Sequence, residues 1–178
     1  MRQKIIMKRE LNSENQPYRK SVEQFINLEK LSAKQQKELA WLLWETFHGT
    51  IDDLGETPEE MEQEVTAMLN GKYGKFLGEH SFISIDAKSG EFQGCGLVSF
   101  FREIPLIIYV SVRSQDRGKR LSTVILKEVI QSLSQEFDAA YLVVTEGNTI
   151  AENIYHQLGF VDVGRDWDTV LNKNEKGE

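Results

Sequence analysis

Arg113, Arg117, Lys119 and Arg120 crowd around Gly118 in the stretch RSQDRGKRLS, residues 113–122, of a chain whose formal net charge is −7. An apolar run precedes this cluster and helical periodicity follows it, a setting suited to holding an anion. The first turn of a helix presents backbone N–H groups with no intrahelical partner, their dipoles pointing outward with the positive end leading. A phosphate placed there collects several hydrogen bonds, and glycine lets it approach the backbone without a side chain in the way. Arg117, Lys119 and Arg120 add full charges to those partial ones. Each well-made charged contact is worth about 1.5–3 kcal/mol. A solvated helix entrance has the same composition, so the cluster's place in the fold decides between the two readings.

The elements around the loop supply that place. PLIIYV, residues 105–110, is apolar without alternation, as in a strand covered on both faces. After the loop, Leu121, Val124, Ile125, Val129 and Leu133 recur at helical spacing, and AAYLVVTE (139–146) is a second short apolar strand. Strand, helix, strand makes a βαβ unit with parallel strands, which sets the loop at a strand's carboxyl end, where open α/β sheets bind ligands. Upstream, EQFINLEKL (23–31) reads as a first strand. Ser32 with Gln35 caps a helix whose face carries Leu39, Leu43 and Phe47, and Thr57-Pro58-Glu59 opens another that runs to about Asn70. Its buried side is Met61, Val65, Met68 and Leu69. SFISIDA and EFQGCGLVSFF (81–87 and 91–101) form two strands joined by a tight turn. TIAENIYHQLG (149–159) is a helix closed by Gly159, and FVDVGRDWDTVL (160–171) reads as a final hairpin. Residues 1–22 read as a polar N-terminal extension, 23–172 as a single domain and 173–178 as a polar tail.

Composition narrows the class. With 40% hydrophobic and 28% charged residues the chain is ordinary globular protein, and a pI of about 5.1 excludes a protein whose main surface coats nucleic acid. A single cysteine, Cys95, excludes an internal disulfide and any multi-cysteine zinc site, and fits a reducing compartment. His48, His80 and His156 have no metal-binding spacing. No apolar run reaches a membrane span or a secretory signal, so the expected location is cytoplasmic, without membrane contact. Trp41, Trp44 and Trp167 are core residues or an interface, and the latter is compatible with a homodimer.

From about residue 23 to 171 the order of motifs resembles the GNAT superfamily of acyl-CoA-dependent N-acetyltransferases. The family has a strand ending in a Val-x-Pro turn, then Arg/Gln-Gly-x-Gly-x-Gly/Ala opening a long helix. YVSVRSQDRGKRLSTVIL occupies that position here. Downstream the family carries an Asn after the next strand, then a helix with Tyr shortly before Gly-Phe, matched by Asn148, Tyr155, Gly159 and Phe160. The departures are Arg120 and Ser122 at the second and third glycine positions and Ser114 at the turn proline. The resemblance implies an α/β fold with a central mixed, mostly antiparallel sheet, a parallel splayed strand pair and flanking helices. It further implies acetyl-CoA as donor, held by Val110, Val112, Arg117, Gly118, Lys119, Arg120, Leu121, Ser122 and Asn148, with no metal. Tyr155 is the implied general acid, since a phenol near pKa 10 stays protonated at neutral pH and protonates the leaving thiolate. Core packing on a face with Ala151, Ile154 and Leu158 is the other reading of Tyr155, as helix capping is of Asn148.

An attacking amine must first lose a proton, and Glu103, Glu146, Asp52, Asp53 and Glu56 are the carboxylates at turns and strand ends that could take it. Residues 49–64 carry Asp52, Asp53, Glu56, Glu59, Glu60, Glu62 and Glu64 and no base; the resemblance implies that this region lines the acceptor site, which makes a cationic small-molecule or peptide amine the expected acceptor, and an exposed acidic helix face is the other reading. Two other classes stay open: a non-catalytic acyl-CoA-binding or protein-interaction module, and a nucleic-acid contact at the basic loop.

Overall fold

The computed structural model describes residues 2–11 and 24–175. Among the described residues eight strands form one sheet: β1 (Lys4–Glu10), β2 (Gln24–Asn27), β3 (Lys75–Phe76), β4 (Phe82–Ile85), β5 (Phe92–Phe101), β6 (Ile104–Val112), β7 (Ala139–Thr145) and β8 (Val161–Gly164). Seven lie in the order β2-β4-β5-β6-β7-β1-β8, with β3 beside β5. Every pairing is antiparallel except β6 with β7. The helices of the described residues that flank the sheet are α1 (Ala33–Phe47), α2 (Pro58–Leu69), α3 (Leu121–Ser134), α4 (Thr149–Gln157) and α5 (Trp167–Glu175).

The expected helices start where their caps put them. Ser32 and Gln35 form a reciprocal capping box on α1, and Thr57 with Glu60 does the same on α2, with Pro58 in the first turn. α1 and α2 bury Leu39, Leu43, Met61, Val65 and Met68 on one face of the sheet, against Ile83, Cys95 and Leu97. α3 lies on the opposite face, burying Leu126, Val129 and Leu133 against Ile107 and Leu142. It sits close because Gly94 and Gly96 lack side chains there. A Cβ on Gly96 would stand 2.9–3.0 Å from Val129 and Ile125. Cys95 is a buried strand residue, its thiol pushed up to about 12 by burial.

Two expectations are corrected. Within the stretch read as an N-terminal extension, Lys4–Glu10 is an inner strand, paired along its length with β7 and on its other edge with β8. Ile5 and Met7 are buried on the α3 side and Ile6 on the α5 side. A strand covered on both faces shows no alternation, and a run of only three apolar residues between cations looks like an arm. The final hairpin is also replaced, by β8 followed by α5. Asp166 accepts from the Thr169 N–H (2.8 Å) and hydroxyl, starting a helix where a return strand was expected.

The parallel pair opens almost as soon as it forms. Leu106 pairs with Tyr141 and Ile107 with Leu142, and pairing ends there. On the other edge of β6, Leu97 faces Tyr109 while Val98 faces Ile107, so Ile108 is an extra, bulged residue. A bulge bends its strand and breaks the ladder, which is the local cause of the splay.

Candidate active site

The loop between β6 and α3 sorts its cations differently from their sequence. Arg113 is buried and turned away from the helix entrance, bonded to Asp116, to Glu91 at 2.9 Å and to Asp86 at 3.4 Å. This removes it from the set of cations that could meet an anion. Burial works against ionising Asp116, but Arg113 and Lys119 outweigh it and hold the carboxyl below its ordinary value. The Arg117 guanidinium donates to the carbonyls of Thr46 (3.0 Å) and Val112 (3.4 Å), tying the end of α1 to the end of β6. Lys119 reaches Asp116 at 3.2 Å and is otherwise exposed. Arg120 is exposed and has no ion-pair partner among the described residues.

Backbone conformation explains how a chain lacking two glycines keeps the turn. Gly118 has φ 80° and Arg120 φ 59°, so both stand in the left-handed region. At Arg120 this is a strained conformation for a residue with a Cβ. The first backbone bond of α3 runs from Val124 N–H to Arg120 O (3.2 Å), and no side chain caps the helix. Its leading amides therefore face the loop with no intrahelical partner. Nothing lies within 4 Å of a Cβ built on Gly118. Leu121 is buried with Val112 and Ile125, so it anchors the helix rather than facing a ligand. Ser122 stands half-buried in the first turn.

A cavity of about 210 Å³ opens where β6 and β7 part. Its walls come from both faces of the sheet: Phe47, Asp52, Glu56 and Met61 from one, Val144, Ala151 and Tyr155 from the other, with Val110 between. Tyr155 packs edge-on to Phe160, centroids 6.3 Å apart, and its hydroxyl has no hydrogen-bond partner among the described residues. Burial, with the charge of Asp52 adding to it, pushes the phenol up to about 12.

Of the candidate carboxylates, Asp52 and Glu56 reach this cavity. Asp52 Oδ1 accepts from the Thr145 hydroxyl (2.5 Å) and from Lys4 Nζ (3.5 Å), and its Oδ2 from Asn148 Nδ2 (3.5 Å). Asn148 also caps α4 through the Ala151 N–H (3.4 Å), so it performs the capping role and borders the cavity as well. Asp53 closes its own loop by accepting from Gly49 and Gly55 N–H, which hold its carboxyl below the usual range. Glu146 is held bidentately by Arg165 at 2.7 and 3.0 Å. Glu103 sits with Arg102 in the β5–β6 hairpin, at the opposite end of β6 from Val112, and is removed as a candidate.

Lys4, Thr145 and Tyr109 were not foreseen. Tyr109 lines the cavity and donates to Glu64 (3.2 Å), as does Tyr73 (2.5 Å). Burial works against ionising Glu64, but hydrogen bonds from Lys72 and Tyr73 outweigh it and keep the carboxyl below its ordinary value. Only the pairing of Lys4 with Thr145 across β1 and β7 brings those two together. Elsewhere, Glu79, His80 and Glu136 bring three ligand-type atoms within 4.8 Å of one another, a grouping the histidine spacing did not reveal. His80 is hydrogen-bonded there to Ser132 and Glu136. Trp41 is exposed against Trp44, and Trp167 packs on Phe101 and Tyr141. Among the described residues no helix is long and apolar enough to cross a membrane.

A mixed sheet with one briefly paired parallel pair, an uncapped helix start at the carboxyl end of β6 and helices on both faces defines the class of α/β fold. Residues 36–160 match the model of the acetyltransferase (GNAT) family, and the chain belongs to that family. A solved GCN5-related N-acetyltransferase from Sphaerobacter thermophilus superposes with a TM-score of 0.66 at 18% identity, over 90% of this chain and 48% of that one. The chain thus spans about half the length of that protein. A Pyrococcus horikoshii structure gives a TM-score of 0.67 at 20% identity, over 80% of this chain and 91% of its own. A chain of the NatC complex, solved with a Gag peptide and CoA, gives 0.55 at 18% identity, over 78% of this chain and 84% of its own. At these identities the likeness is one of fold. The comparison with curated proteins returns no match.

Proposed function

We propose that this chain is an N-acetyltransferase that moves the acetyl group of acetyl-CoA directly to a primary amine of a cationic small molecule or peptide. The observation that carries the reading is the cavity in the gap between β6 and β7, with the Tyr155 phenol and the Asp52 carboxylate both in its wall. The donor's diphosphate meets the leading amides of α3 around Gly118, with Lys119 and Arg120 adding charge. Its pantetheine arm follows the free edge of β6 past Val110 and Val112. The acceptor ammonium is attracted to Asp52 and loses its proton there or through water. The amine attacks the thioester carbonyl, the C–S bond breaks, and Tyr155 protonates the departing thiolate.

Calorimetric titration with acetyl-CoA, at low and high salt, tests the donor half. Binding in the micromolar range that weakens with salt is expected, and absence of binding at millimolar donor overturns the reading. An amine panel tests the rest: polyamines and basic peptides should be acetylated faster than neutral or acidic amines. A non-catalytic module would bind the donor and leave every amine unmodified.

A further inference from the structure

Resting on that transferase reading, we propose that the ε-amine of Lys4 is itself an acceptor, acetylated within its own chain. Among the described residues, Lys4 is the only primary amine in the wall of the cavity that holds Tyr155, Asn148 and Val110. It arrives there by sheet geometry rather than by chance contact. Lys4 opens β1 and pairs with Thr145, the last residue of β7, so the two side chains lie on the same face of the sheet. Nζ stands 2.5 Å from Thr145 Oγ1 and 3.5 Å from Asp52 Oδ1. Asp52 is in turn close enough to raise the pKa of Tyr155. Amine, carboxylate and phenol thus share one small space. The Lys4 side chain is 57% exposed, so four methylenes are free to swing the amine toward the strand gap.

An amine tethered beside the thioester needs no separate binding step, the advantage that proximity confers on intramolecular reactions. The Lys4 ammonium gives a proton to Asp52 or to water beside it. Nζ then forms a bond to the acetyl carbonyl carbon of acetyl-CoA and gives its second proton to water, the C–S bond breaks, and the thiolate takes the Tyr155 proton. Tyr155 regains a proton from solvent. The products are Nε-acetyl-lysine at position 4, free coenzyme A and one proton. The modification removes the cation that Asp52 now holds, so Lys4 and an external acceptor compete for one carboxylate.

Incubation of the full chain with acetyl-CoA, followed by intact-mass and peptide mass spectrometry, tests this. The expected result is one acetyl group on Lys4, gained at least ~10-fold faster than on the exposed Lys30, Lys34 and Lys75. The rate should be first order in protein and unchanged over a tenfold range of protein concentration. Lys4→Arg should abolish the fast phase, and Tyr155→Phe should slow it. The proposal is overturned if Lys4 reacts no faster than those surface lysines, or if its rate grows with protein concentration. It is equally overturned if the chain acetylates added amines while Lys4 stays unmodified, a result that leaves the transferase reading standing. Failure to bind acetyl-CoA at all sinks both.

Discussion

The loop at residues 113–122 and the cavity in the strand gap lie along the same strand, yet they are built in opposite ways. The loop is contiguous: two left-handed residues, an uncapped helix start and the cations between them. The cavity is assembled from Lys4, the stretch from Phe47 to Met61, the β6 bulge at Ile108 and the span from Val143 to Tyr155. Backbone amides hold a phosphate wherever a helix begins, so ten neighbouring residues suffice for that task. Placing a carboxylate and a phenol across a gap between strands takes a whole sheet. The two regions should therefore fail differently when altered.

Tyr155→Phe is the sharpest division between them. Loss of a general acid lowers turnover by about 10²-fold or more, and the donor's affinity should stay within about twofold because the loop is untouched. Phe keeps the ring against Phe160, so stability should hold. A pH–rate profile adds a sign. With the phenol pushed up to about 12, turnover should climb with pH as the acceptor amine deprotonates. No decline from loss of the acid should appear until the pH approaches that value. A fall beginning near pH 9 would assign the proton to another group.

Met7→Ala breaks the comparison from the other side. Met7 is fully buried in β1, and removing such a side chain from a core typically costs about 2–5 kcal/mol. A denaturant melt should record that loss. A loss below 0.5 kcal/mol would mean that β1 is not integral to the sheet that holds the cavity. Asp52→Asn has a narrower expected effect. The amide keeps contact with Thr145 and Asn148 but loses its charge, so KM for a cationic amine should rise about tenfold with donor KM unchanged. Equal effects on cationic and neutral amines would remove Asp52 as the anchor.

The same division governs what the sequence could reveal. The capping boxes at Ser32 and Thr57, the buried faces of α1 to α3 and the βαβ unit all follow from rules spanning a few residues, and all stand in the structure. Asn148 and Tyr155 were found through motif order and lie in the cavity wall. Lys4 and Thr145 are 141 positions apart, and no local period announces their pairing. β1 was hidden because its three apolar residues face both sides. α5 was hidden because the aspartate that starts it sits where a turn residue would serve equally well. Glu103, chosen as a carboxylate at a turn, proved to be at the wrong end of its strand.

The smallest expected effect, at Arg120, asks whether the loop works through its amides or its charges. Arginine at φ 59° carries about 1–2 kcal/mol of left-handed strain that glycine avoids, while glycine costs about 0.5–1 kcal/mol in chain entropy. Arg120→Gly should therefore raise stability by up to about 1 kcal/mol, a gain of about 2–4 °C in Tm for a chain of this size. If amides alone grip the diphosphate, acetyl-CoA affinity is unchanged and its salt dependence stays as it was. If the guanidinium reaches a phosphate, affinity falls a few-fold at low salt and the difference vanishes at high salt. A variant that loses stability would show instead that the side chain, not the turn, holds the entrance of α3 in place.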